Sequence, residues 1–153
     1  MSKPKYNLKY ISEDSLHFEF ESISPEKTVL KVVEFEPIDE ESLYFNLALV
    51  DIDEHGNYSD NIVTDNKDTE KVFGTIAKII DYFFEQHPKR RILIFSDDPL
   101  RIRLYRMIIS NYSDEKERNW SFYGLQNAKF KLFEKGENYE AFMITLKREK
   151  IEL

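Results

Sequence analysis

The sequence predicts an α+β fold: a mostly antiparallel, curved sheet of about seven to eight strands with two helices packed on one face. Three observations point there. Short runs of alternating apolar and polar residues occupy both ends of the chain, two stretches with helical periodicity lie between them, and aromatic residues are abundant. Twelve Phe, nine Tyr and one Trp suit the pleated, half-buried surface of a sheet. The predicted order is four strands, helix, strand, helix, three strands (ββββαβαβββ). A length of 153 residues fits a single domain over 1–153 with one core, its ends at 1–5 and 148–153 expected to fray.

The elements follow in order. Leu16, Phe18 and Phe20 alternate with His17, Glu19 and Glu21, the pattern of a strand with one buried face. Ser24-Pro25-Glu26-Lys27 is turn chemistry, and a second alternating run over 28–35 ends before Pro37. Residues 43–52 are more continuously apolar and are expected to form a central strand covered on both faces. A polar loop follows over 53–65. Asp68 then stands as N-cap of the first helix, with Val72, Phe73, Ile76, Ala77, Ile79, Ile80, Phe83 and Phe84 on one face. His87-Pro88 stops it. Ile92-Leu93-Ile94-Phe95 is a short strand. Asp97 or Asp98 caps a second helix that opens on Pro99, where the missing N–H costs nothing, and runs to about Tyr112. Strands over 120–125, 129–133 and 139–146 close the chain. Gly136 is expected to turn the last hairpin, and Gly124 marks a bulge or a close backbone approach.

Composition excludes several classes. With no cysteine, disulfides and thiolate metal sites are out, and a cytosolic location is favoured. No leader-like apolar segment opens the sequence, and no apolar run reaches the ~18 residues that span a bilayer. This is the pattern of a soluble, cytoplasmic chain. A net charge of −7 disfavours nucleic-acid binding by the whole surface without excluding it locally. The charge is unevenly spread: residues 34–70 hold twelve acids and one lysine (−11), whereas 89–106 hold six bases and two acids (+4).

That basic stretch is the most site-like feature. On a wheel of about 100° per residue, Leu100, Leu104, Met107 and Ile108 form an apolar sector that Ile102, Tyr105, Ile109 and Tyr112 widen past half the circumference. Such a helix is buried on more than one side or carries an interface. Arg103 and Arg106 fall on the polar strip. Arg101 falls inside the apolar arc, where a guanidinium needs an anion beside it. Two explanations stay open: a structural clamp on an acid such as Asp97, or a ligand carboxylate or phosphate. Ser96, Arg101, Arg103, Tyr105 and Arg106 are the candidate ligand-binding residues.

Other constellations are weaker. Residues 51–57 begin like a calcium loop, but its twelfth position is Ile62 and its fifth His55, so a turn at His55-Gly56-Asn57 is the better reading. Asp51, Asp53, Asp65 and Asp68 could hold magnesium for a metal-assisted phosphodiesterase, or simply be solvated and cap a helix. His17, His55 and His87 are dispersed, and there is no nucleophile elbow, phosphate loop or dinucleotide fingerprint. Tyr105, Tyr112, Trp120 and Tyr123 could stack on bases, though aromatics at strand and helix spacing are generally packing. No catalytic residue, metal site or cofactor is assigned.

Lys71-Val72-Phe73-Gly74-Thr75-Ile76-Ala77, the turn into Arg101-Ile102-Arg103-Leu104-Tyr105-Arg106, Tyr123-Gly124-Leu125, and Phe133 through Phe142 together resemble a family of small bacterial proteins known as a domain of unknown function. The likeness covers roughly 51–147. The family's turn reads Gly-Ser-Thr-Pro before an Arg-Thr-Arg-Leu-Tyr helix start. Here Phe95-Ser96-Asp97-Asp98-Pro99 replaces it, with acids where Gly and Thr stand. The resemblance implies a shared fold and no activity. The expected function is a small binding or interaction module, pairing with a second copy or an unidentified protein. The alternatives are an anion or nucleic-acid site around Arg101, Arg103 and Arg106, and the metal-assisted phosphodiesterase.

Overall fold

A computed structural model of the chain describes residues 4–59, 68–113 and 119–147. Its elements are β1 (Tyr10–Ile11), β2 (His17–Ile23), β3 (Thr28–Pro37), β4 (Tyr44–Ile52), β5 (Tyr58–Ser59), α1 (Thr69–Gln86), β6 (Arg91–Phe95), α2 (Pro99–Ser113), β7 (Trp120–Gln126), β8 (Lys129–Leu132) and β9 (Ala141–Leu146). The hydrogen-bonded strand order is β1-β2-β3-β4-β6-β9-β7-β8, with β5 paired to β4. All strand pairs with a described register are antiparallel except β4–β6. The α+β class and element order are as the sequence predicts, with β5 an extra two-residue return on β4.

The chain divides into two compact units, one of residues 1–36 and 48–87, the other of 37–47 and 88–153. In the first, Phe18, Phe20 and Ser22 of β2 pair with Val33, Lys31 and Val29 of β3, so all six side chains share one face, and all are buried. The Ser24 hydroxyl accepts the Glu26 and Lys27 N–H groups and closes the turn between these strands. All eight apolar positions expected on α1 are buried. Gly74 and Thr75 are buried as well, because the N-terminal segment crosses the helix there. A Cβ at Gly74 would collide with the Pro4 carbonyl oxygen, and the Tyr6 N–H donates to Thr75 Oγ1 at 2.7 Å. Pro4 and Lys5, within the segment expected to fray, are exposed, but the Pro4 backbone lies against Gly74. Residues 148–153 lie outside the described part.

In the second unit, β6 runs parallel to the start of β4, with Tyr44 opposite Arg91 and Asn46 opposite Leu93. β9 inserts between β6 and β7 and is buried at every residue. This corrects two expectations. The strand covered on both faces is β9, whereas β4 alternates buried and half-buried positions. The segment around Gly136 is no hairpin, because β8 and β9 each pair with β7 and not with each other. Gly136 does take a positive φ of 86°. The connection folds back over β7 and lays the Tyr139 ring against Gly124, where any Cβ would collide with it. The close approach expected at Gly124 is thus made by an aromatic ring. Tyr139 packs edge-on to Phe142 and tilted against Phe133, which makes a local aromatic core.

Candidate functional site

The turn into α2 is built by side chains that satisfy helix-start N–H groups. Ser96 Oγ accepts the Asp98 N–H at 3.1 Å, and Asp98 Oδ1 accepts the Leu100 N–H at 3.0 Å. Asp98 is thus the cap of the two candidates, with Pro99 in the first helical position. A carboxylate already occupies the place an anionic ligand would take at this helix start.

The helix then turns Tyr105, Ile109 and Tyr112 inward. Arg101 lies one turn before Tyr105 on that side, is half buried, and is engaged. Arg106 donates through Nη1 to Asn138 Oδ1, which ties the helix to the segment before β9, so it does not point freely to solvent. Arg103 is exposed. Arg101 and Arg103 are separated by about 200° around the axis, so the three arginines do not converge on one ligand. Ser96 belongs to the turn and Tyr105 to the core. The five candidate residues share a segment but differ in burial and in partners. Tyr112, Trp120 and Tyr123 are likewise buried, and with Tyr105 they are packing residues rather than a stacking platform.

The outer side of the helix departs from expectation. Leu100 is 71% exposed and Met107 53%, although the periodicity placed both in the apolar sector. The apolar arc is wider than one packing side can cover. The two tyrosines and Ile109 take the inner side, and Leu100, Arg103 and Met107, spaced i, i+3, i+7, form a stripe on the other. Phe95, at the end of β6, is 57% exposed.

Of the four acids expected as metal ligands, Asp51, Asp53 and Asp68 have other partners. Asp51 is 4% exposed and accepts both Oδ1 and Oδ2 hydrogen bonds from Lys31 Nζ, at 2.8 and 2.9 Å; Lys31 is itself 1% exposed. Asp53 Oδ1 accepts the His55 and Asn57 N–H groups, closing the turn in which Gly56 has φ 80°. The Asn57 bond leads the contributions that hold its carboxyl below the usual range. Asp68 sits at the N-cap position of α1 without capping it. Its Oδ2 instead accepts the hydroxyls of Tyr6 and Ser22, each at 2.5 Å, because buried hydroxyls compete for a charged acceptor. Burial, then the bond to Asp68, raises the Tyr6 pKa. Asp65 lies outside the described residues. Among the described residues, no group of three or more His, Asp or Glu side chains could hold a metal ion.

Each histidine has a structural place. His87 Nε2 donates to the Asp14 carbonyl oxygen at 2.7 Å, and His55 lies in the Asp53 turn. His17 is held by Glu34 at Nδ1 and Glu19 at Nε2, both at 2.8 Å. The two acids grip opposite edges of the ring, so the trio is not a converging ligand set.

The model of a Family of unknown function (DUF6934) matches residues 2–147. The chain belongs to that family. The match reaches residue 2 rather than beginning near residue 51, so β1 to β4 are part of the DUF6934 pattern. No curated protein and no solved structure matches the chain. Among the described residues of this DUF6934 chain, no helix is long and apolar enough to cross a membrane.

Two features, one in each unit, were not among the sequence expectations. One is the outward stripe on α2. The other is the Lys31–Asp51 pair, which did carry a signal: Lys31 alternates in phase with Val29 and Val33, and Asp51 with Leu47 and Leu49, so both are charges on the inward register of a strand.

Proposed function

We propose that the protein is a cytosolic interaction module that pairs with a second copy of itself through the outward face of α2 and the adjoining end of β6. The observation that supports this is the exposure of Leu100 and Met107 on the same side of α2 as Arg103, together with that of Phe95 at the end of β6. Covering an apolar side chain of this size contributes roughly 1.5–3 kcal/mol, and Phe, Met and Arg are enriched where proteins meet. The body of α2 holds three arginines and no acid, in a chain of net charge −7. A second copy supplies the acidic surface that this basic face attracts. The edge strand β8 is a poorer candidate, since Lys129 and Lys131 stand on it and charged edges resist pairing. Absence of cysteine fits the cytosol.

Light scattering across a concentration series tests the reading. The wild-type chain is expected to show twice the monomer mass, and the double variant Leu100→Glu/Met107→Glu the monomer mass with an unchanged circular dichroism spectrum. A wild-type chain that stays monomeric at every concentration overturns it.

A further inference from the structure

Resting on that reading, we infer that the surface received by α2 is the acidic turn over residues 37–42 of the second copy, with Ile38 as its apolar anchor. Ile38 is exposed, and so are Glu36, Pro37, Glu40 and Glu41 around it. An exposed isoleucine among acids complements a stripe of exposed leucine and methionine around an arginine.

The turn is held in shape. Asp39 Oδ1 accepts the Leu43 N–H at 3.0 Å and the Tyr44 N–H at 2.9 Å, and the Ile38 N–H donates to the Tyr44 carbonyl oxygen at 3.0 Å. Asp39 is therefore committed to the backbone, and the acids of the turn left to meet Arg103 are Glu40 and Glu41, with Glu36 exposed just before it. Because the turn is already ordered, docking it costs little conformational entropy, which is what an anchor residue requires.

Placement within the unit supports a closed pair. β4 and β6 are parallel, and the turn lies just before Tyr44, whose register partner is Arg91 at the start of β6. Phe95 is the last residue of β6, at its other end, and Leu100 lies beyond it in the first turn of α2. The start of the basic, apolar stripe and the acidic, apolar turn thus sit at opposite ends of the same strands. Two copies related by a two-fold axis, with their strands antiparallel, bring each patch onto the other twice and leave neither unpaired.

The dissociation constant by analytical ultracentrifugation tests this, with a urea melt of each variant as the folding control. Ile38→Asp is expected to weaken the dimer by about tenfold or more, as loss of a central anchor does. Arg103→Glu, and separately Glu40→Lys/Glu41→Lys, are each expected to weaken it several-fold, and the three changes combined to recover most of that loss. If Leu100→Glu/Met107→Glu dissociates the dimer while Ile38→Asp and the charge reversals leave it within about twofold, the inference fails and the α2 docking face stands. If no dimer forms at all, both fail. Mass growing beyond two copies with concentration overturns the closed two-fold arrangement.

Discussion

The interior of the first unit and the outer side of α2 in the second invert the usual placement of polar and apolar groups. Beneath α1, an ammonium and a carboxylate are buried at Lys31 and Asp51, and the hydroxyls of Tyr6 and Ser22 are buried on Asp68. On α2, leucine and methionine face solvent. Polar groups in the first region answer one another within the chain, so the fold itself accounts for them. The apolar groups of the second gain nothing from the fold that exposes them. The comparison separates residues that specify the structure from residues that are available to act outside it.

The largest effect belongs to the buried pair. Lys31→Met leaves the Asp51 carboxylate buried without its ammonium and is expected to cost about 3–5 kcal/mol in urea unfolding. Lys31→Met/Asp51→Leu removes both charges and is expected to recover most of that loss, since an apolar pair of similar volume avoids the desolvation of two ions. A double variant as unstable as the single one would mean that the pair does more than neutralise itself.

Much of this fold was legible because periodicity reports burial, and burial on one face is what defines these elements. The eight apolar positions of α1 show it, as does the proline-opened start of α2. What was not legible depends on partners far apart in sequence. Asp68 looks like a cap because it precedes a helix, but Tyr6, 62 positions away, takes its oxygen. Gly136 looks like a hairpin turn because strands flank it, but β9 inserts between β6 and β7. For α2, the wheel identified the apolar residues and not which of them the sheet would accept. Three candidate arginines adjacent in sequence point in different directions for the same reason.

His17 lies between the two extremes, half buried with Glu19 and Glu34 on either side. Burial alone would lower its pKa, but the bonds to Glu19 and Glu34 and their charges outweigh that and raise it. A raised folded pKa means that protonation favours the folded state. The contribution is fully present below the ordinary histidine value of about 6.5 and is lost as pH rises through the folded value. Solvent screening keeps it small, below about 1 kcal/mol. Wild type minus His17→Gln stability, followed by chemical denaturation from pH 5.5 to 9, is expected to shrink as pH rises. A difference constant with pH would assign His17 a packing role only.

The smallest effect is the one that sharpens the comparison most. If the outer side of α2 serves something other than the fold, removing its apolar side chains leaves the folded chain as stable as before. Leu100→Ser and Met107→Ser, compared in urea at a concentration where the protein is monomeric, are expected to fall within about 0.5 kcal/mol of wild type, as solvent-facing substitutions do. Tyr105→Ala, two residues before Met107 but on the inner side, is the control and is expected to cost about 3–5 kcal/mol, as loss of a buried aromatic does. Raising the protein concentration then separates the wild type from the two serine variants, because mass action stabilises only the chain that associates. A wild type whose midpoint does not move with concentration would place Leu100 and Met107 among ordinary exposed residues and leave the polar interior as the only unusual region of the pair.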